Sequence, residues 1–284
     1  MAIAEAPARG EGDAMENAVA KLRGGILLPR YNRRGSYEVW TFSEGDFWNN
    51  KDPLTDIVVE FAQRELGWTE ETARATYERS LKVDDRRNEA LIPSVLLFRR
   101  RGVVMGVSAQ RMRVIGTQVA GDVPVEFHIL RAFEKDARTK HMGRDSIDLG
   151  RYTHRKALYY VARNTGPVPV YATMEAGKER GINNSTTFVE GTFHPWDRLY
   201  DQDSSDRVSQ EIMIETHLSL RRDESGFVNS STSVSKKDLK EFNKSYRPRP
   251  GHTPTENLLD RMEGEFEMDI EEGDSVITVA RFRR

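Results

Sequence analysis

Two titratable side chains, Glu126 and His128, stand two residues apart in the run Val123-Pro-Val-Glu-Phe-His-Ile-Leu130. Either can take a proton from a nucleophile held beside it at neutral pH. A little further on, Glu134-Lys-Asp-Ala-Arg-Thr-Lys-His-Met-Gly-Arg144 gathers Arg138, Lys140 and Arg144 into one polar stretch. Cations at this density suit the oxygens of a phosphate, which arginine can engage through two parallel hydrogen bonds. The chain has 0 Cys, which excludes a cysteine nucleophile, a disulfide framework and thiolate metal sites. Its 6 His, among them His128, His141 and His154, fall without metal-ligand spacing and read as loop or helix residues, so no metal is expected.

These residues need a strand, a loop and a helix to hold them. Val123, Val125, Phe127 and Ile129 alternate with Pro124, Glu126, His128 and Leu130, which predicts a largely buried strand. After Gly143 the period changes: Leu149, Thr153, Ala157, Tyr160 and Val161 recur at helical spacing, and Asn164-Thr-Gly-Pro167 is a stop signal. The helix is therefore expected to run to Asn164. A strand turning into a helix presents free N–H groups and a positive dipole end, both favourable to phosphate.

The segment from Phe133 to Gly143 resembles the pyrophosphate loop of the GNAT superfamily of acyl-CoA-dependent N-acyltransferases, Arg/Gln-x-x-Gly-x-Gly/Ala between a strand and the following helix. Arg138-Thr-Lys-His-Met-Gly143 matches at Arg138 and Gly143 and departs at His141, where the family usually has glycine. The expected helix runs about seven residues, or about two turns, longer than the family's; an alternative register places the loop glycine at Gly150. The resemblance implies an α/β (α+β) fold with a mixed, mostly antiparallel sheet flanked by helices. It implies acetyl-CoA or another acyl-CoA as co-substrate and an amine, on a small molecule or a protein, as acceptor.

Site residues follow from the same resemblance. Backbone N–H groups near Ala132 and Phe133 would hold the amide arm of the cofactor. Those of Arg138, Thr139, Lys140, His141, Met142, Gly143 and Arg144 would hold its pyrophosphate, and Asn183 or Asn184 echoes a helix asparagine of the family. Glu126 is the expected general base, with His128 second. The usual acid tyrosine has no clear counterpart, since Phe188 stands in the matching region, and Tyr171 or Tyr200 could take its place. Against these roles, Glu126 could simply lie on an exposed strand face, and the fold could serve a binding or scaffolding protein without the chemistry.

The rest of the chain reads as scaffold. Its 284 residues suffice for a sizeable core, and Lys+Arg 43 against Asp+Glu 45 gives a net charge of −2, which recommends neither nucleic acid nor an acidic membrane. Arg99-Arg100-Arg101 reads as a solvated hairpin tip; a nucleic-acid-associated factor using it and Arg247 is the third class. No long apolar run or leader pattern is present, so a cytoplasmic protein without a membrane span is expected. Residues 1–20 read as a disordered tail, 21–228 as the acyltransferase-like domain, and 229–284 as a strap, a short helix near Thr255 and a last strand from Ser275. A homodimer by exchange of that last strand is compatible with this order.

Within the domain, Tyr37 to Phe42 alternates as a strand, Ser43 to Asp46 reads as a turn, and helices start at Asp52 and Thr69. Ser94–Phe98 and Val103–Ala109 form a hairpin about Gly102. A strand is expected over Val168–Met174, a helix and loop over Glu175–Phe193, a strand over Glu211–Leu220 and a turn over Arg221–Gly226.

Overall fold

A nine-stranded sheet takes its order from long-range pairing that the sequence does not announce. The computed structural model describes residues 10–28, 37–81, 91–134, 142–164, 182–190, 199–200, 207–208, 211–212, 220–223, 226–229, 251, 253–264 and 275–282. The chain begins with α1 (Gly10–Lys21), where composition favours a tail. Then come β1 (Ile26–Leu27), β2 (Glu38–Ser43), α2 (Glu44–Asn49), α3 (Lys51–Leu66) and α4 (Glu70–Ser80). A meander of β3 (Ile92–Arg100), β4 (Val103–Thr117) and β5 (Gly121–Phe133) leads to α5 (Met142–Thr153) and β6 (Tyr159–Asn164). After these are β7 (Ile182–Glu190), β8 (Leu199–Tyr200), the small hairpin β9 (Leu220–Asp223) and β10 (Gly226–Asn229), α6 (Thr253–Gly264) and β11 (Ser275–Phe282).

The large sheet runs β1-β2-β3-β4-β5-β6-β11-β7-β8. Every neighbouring pair is antiparallel except β5 and β6. Helices cover it, so the fold is the mixed, mostly antiparallel α+β class. Strand β11 lies between β6 and β7, which ties the C-terminal region into the middle of the sheet.

Local signals explain the first helices. Helix α3 buries Leu54, Ile57, Val58, Phe61, Ala62 and Leu66 on one side and stops at Gly67, whose φ of 71° is the left-handed cap geometry that glycine adopts without strain. Thr69 caps α4, its Oγ1 accepting from the Thr72 N–H at 3.2 Å. These helices pack on Phe42, Val95, Leu97, Val107, Ala109, Leu130 and Ala132, which form one face of the sheet. Asn50, almost fully buried, accepts from the Arg23 N–H at 2.6 Å and donates to the Arg23 carbonyl at 2.7 Å, which holds the end of α1 to this layer.

The other face carries α5, and here the sequence expectation needs correction. The helix ends at Thr153 rather than Asn164, and Tyr159–Asn164 is a strand. Tyr160 and Val161 fit a helical period, but they fit equally a strand buried on both faces, and periodicity cannot separate the two in a short apolar run. Tyr159 and Val161 join one apolar cluster and Tyr160 and Ala162 another. Ser43 to Asp46 opens α2 instead of making a turn. Ile182–Glu190 is a strand where a helix was expected, in keeping with its Ser-Thr-Thr-Phe-Val run. Glu211 and Ile212 are helical instead of starting a strand, and Arg221–Gly226 belongs largely to the β9–β10 hairpin. The expected strand Val168–Met174 and most of the 229–256 strap lie outside the described residues.

Candidate functional site

Strand β5 is paired on one edge along its whole length and on the other along only part of it. It follows β4 from Gly121 to Phe133, with a bulge where Ala109 pairs Leu130 and Gln110 pairs His128, leaving Ile129 as the extra residue. Toward β6 the parallel register holds only for Val125 with Tyr159, Glu126 with Tyr160 and Phe127 with Val161. On its other edge β6 pairs with β11 along its whole length, from Tyr159 to Asn164. No described residue of β6 pairs with β5 beyond Phe127. Two adjacent strands that part company in this way leave a cleft closed at Phe127 and Val161 and open toward Phe133 and Asn164. Helix α5 lies along it with its N-terminus at the open end: the Arg131 guanidinium donates to the Gly143 carbonyl at 3.4 Å, and Met142 packs with Phe133.

At the closed end, under the last turns of α5, polar side chains are buried together. The regular alternation of Gln110 with Met112 and of Glu126 with His128 keeps them on one face. Ser94, Gln110 and His128 form one transverse row, and Ile92, Met112, Glu126 and Tyr160 the next. Glu126 is 0% exposed, and its Oε2 lies 3.2 Å from His154 Nδ1. One proton is shared between this oxygen and Nδ1. Glu126 Oε1, both amide atoms of Gln110, both ring nitrogens of His128 and His154 Nε2 are buried with no hydrogen-bond partner. Such groups ordinarily cost about 1–3 kcal/mol each when left unpaired, and unpaired buried groups concentrate where a ligand or water is to be bound.

Gly150 makes the cluster possible. A Cβ there would stand 2.5 Å from Glu126 Oε1 and 2.7 Å from Gln110 Oε1, so only glycine lets the helix sit down on these side chains. Nearby, Tyr37 donates to Asp145 and Thr41 hydrogen-bonds Thr153 at 3.2 Å, so β2 fixes both ends of α5.

Burial holds the His128 pKa well below the ordinary 6.5, and the charges of Arg131 and His154 push it the same way, so the ring is neutral at pH 7. The unfolded chain then binds a proton below about pH 6.5 that the folded chain does not. Stability should accordingly fall as pH drops through 6.5, by up to about 1.4 kcal/mol per unit for this group. Urea unfolding at pH 7.5 and 5.5 checks this: His128→Gln should show a shallower loss than the wild type, and equal slopes would contradict the assignment.

The expected site residues fall into three groups. Glu126 and His128 are brought together, and Glu126 is buried under α5, not on an exposed face. Ala132 and Phe133 are buried on opposite faces, and no described pairing joins them to β6. Met142, Gly143 and Arg144 form the first turn of α5; the Met142 side chain is core, and the Gly143 carbonyl accepts from Ser146 Oγ at 2.7 Å. Asn183 does not join the cleft: it pairs Arg281 in β7, and β6 and β11 stand between that strand and β5. The alternative loop register at Gly150 is corrected, because Gly150 is inside the helix. Arg138, Thr139, Lys140, His141 and Tyr171 lie outside the described residues. Sequence reasoning missed Gln110, Gly150 and His154. The signal for Gln110 was there, a polar residue in the otherwise apolar run Val107–Ala109 and Met112 of a central strand.

No protein-family model matches the chain, and no curated protein matches it. Among the described residues no group of three or more His, Asp or Glu could hold a metal ion, and no helix is long and apolar enough to cross a membrane.

Proposed function

We propose that this protein transfers an acyl group from acyl-CoA to an amine. The observation that supports the reading is that β5 pairs with β6 only through Phe127, while the N-terminus of α5 lies toward the far end of β5. An extended amide-containing arm can pair with a strand edge as another strand would. Its terminal pyrophosphate would then reach the helix N–H groups and the cations Arg138, Lys140 and Arg144. The thioester would lie at the closed end, beside His128.

The transfer needs a free amine, since an ammonium has no lone pair to attack with. We read the buried pair Glu126 and His128 as the groups that would take that proton, Glu126 first and His128 second. The amine nitrogen then bonds to the thioester carbon, the C–S bond breaks, and the proton that the nitrogen sheds in becoming an amide goes to the leaving thiolate. Charge on the carbonyl oxygen during attack calls for an N–H donor, a role that a backbone N–H of β5 near the bulge would take.

Calorimetric titration with acetyl-CoA tests the reading on the wild type and on Arg138→Glu. Binding should be measurable in the first and more than about thirtyfold weaker in the second, the scale expected when a charge-assisted hydrogen bond is replaced by a repulsion. No binding at millimolar acetyl-CoA would sink the proposal. Binding without transfer to any amine would mark a non-catalytic binding protein.

A further inference from the structure

Strands β3 and β4 are joined by a two-residue turn: Arg100 pairs Val103, and Arg101 and Gly102 between them have φ of 51° and 86°. Positive φ at both central positions is the type I′ geometry, which follows the twist of the strands and favours Asn-Gly or Gly-Gly. Gly102 meets it without strain. Arg101 carries a Cβ that crowds the backbone in this region, and its long side chain cannot make the local hydrogen bond that lets asparagine settle there. A strained residue that a better turn former could replace points to work done by its side chain.

That side chain belongs to an unneutralised group. Elsewhere on the surface, Arg74 lies 3.2 Å from Asp56 and 3.3 Å from Glu70, and Arg64 lies 3.1 Å from Glu65 and 3.0 Å from Glu134. Among the described residues, Arg99, Arg100 and Arg101 have no carboxylate partner. Arg99 donates to the Gly102 carbonyl at 3.1 Å, and Glu38, its neighbour across the ladder, accepts instead from Trp40 Nε1 at 3.3 Å. The chain has a net charge of −2, so this positive field is local to the tip.

We propose that the β3–β4 tip is a docking surface for duplex DNA, held through its phosphates by Arg99, Arg100 and Arg101. The surroundings select the partner. Val103, 60% exposed, is the one large apolar side chain exposed at this turn, too little for the centre of a protein interface or for insertion into a bilayer. Phosphate contacts need no such support, because the release of condensed counterions drives them. A single strand would need an open aromatic face to stack on, and Trp40 is half-buried with the Arg99 guanidinium 6.0 Å over its ring. The major groove of B-DNA admits a two-stranded ribbon, whereas that of duplex RNA is too deep and narrow for side chains to enter. The surface is independent of acyl transfer and of the cleft beside β5.

Fluorescence anisotropy of a short labelled DNA duplex, titrated with the full chain between about 50 and 200 mM salt, tests this. Three neutralised phosphates give a slope of log K against log salt of about −2.7, or about fortyfold weaker binding across that range. Arg101→Asn should bring the slope closer to zero by about 0.9 and raise Tm by about 2 °C, since it removes a contact and relieves the turn together. Arg100→Gln, outside the left-handed positions, serves as a second variant should Arg101→Asn fail to fold, and should change the slope alike. No binding at about 0.1 mM chain, an unchanged slope in both variants, or a lowered Tm in Arg101→Asn would each overturn the surface. So would equal or tighter binding to single-stranded DNA, polyglutamate or phosphatidylserine vesicles.

Discussion

Phe98→Ala is expected to destabilise the protein by about 3–5 kcal/mol, the largest effect expected of any single substitution in this chain. Phe98 is fully buried at the centre of β3, and its ring meets Phe133 edge-on at 5.2 Å and Tyr37 at 5.7 Å. Truncation removes both ring pairings and leaves a cavity between the sheet and the start of α5, where Leu96, Met142 and Leu149 would have to collapse inward. A cavity of that kind costs more than the transfer free energy of the deleted carbons, because the surroundings relax only partly. Urea unfolding should show the midpoint falling at constant slope, with Tm lower by on the order of 10 °C. A loss under about 1 kcal/mol would mean that this face is not packed as described.

Gly106→Val should cost about 3 kcal/mol, at the upper end of what inserted carbon does to a filled core. Gly106 stands between Phe98 and Phe133 in the ladder, and the absence of a side chain lets the two rings meet above it. A Cβ at this position would lie 3.0 Å from Phe133 Cε1 and 3.1 Å from the Ala132 carbonyl oxygen, so both a ring and the backbone must move. In an ordinary strand, replacing glycine with a β-branched residue stabilises, so the sign of the effect is itself diagnostic. A double-mutant cycle with Phe133→Leu gives the check: the pair should lose clearly less than the sum of the single changes, because the smaller side chain makes room. Additive losses would place the strain elsewhere. Phe133 also ends β5 at the mouth of the cleft, so Gly106→Val should weaken acetyl-CoA binding even where the chain remains folded.

What the sequence alone determined is the part of the molecule governed by local rules. The starts of α3 and α4, the stop at Gly67, the β3–β4 turn at Arg101–Gly102, the strand ending in Phe133, the helix near Thr255 and the final strand from Ser275 each carry their own capping, turn or alternation signal. Glu126 and His128 were legible for a similar reason, as ionisable residues within a strand too apolar to face water on both sides. The tertiary structure decided the rest. Tyr159–Asn164 has a period that suits helix or strand, and only pairing between β5 and β11 selects the strand. That choice ends α5 at Thr153, sets its negative pole over Glu126 and opens the cleft beyond Phe127. Gln110, Gly150 and His154 are separated by forty residues or so of chain at the extremes and meet only because the β4–β5 register and a side-chain-free helix turn bring them within reach. No local signal encodes such a meeting, since its free energy resides in contacts between segments that are distant in sequence.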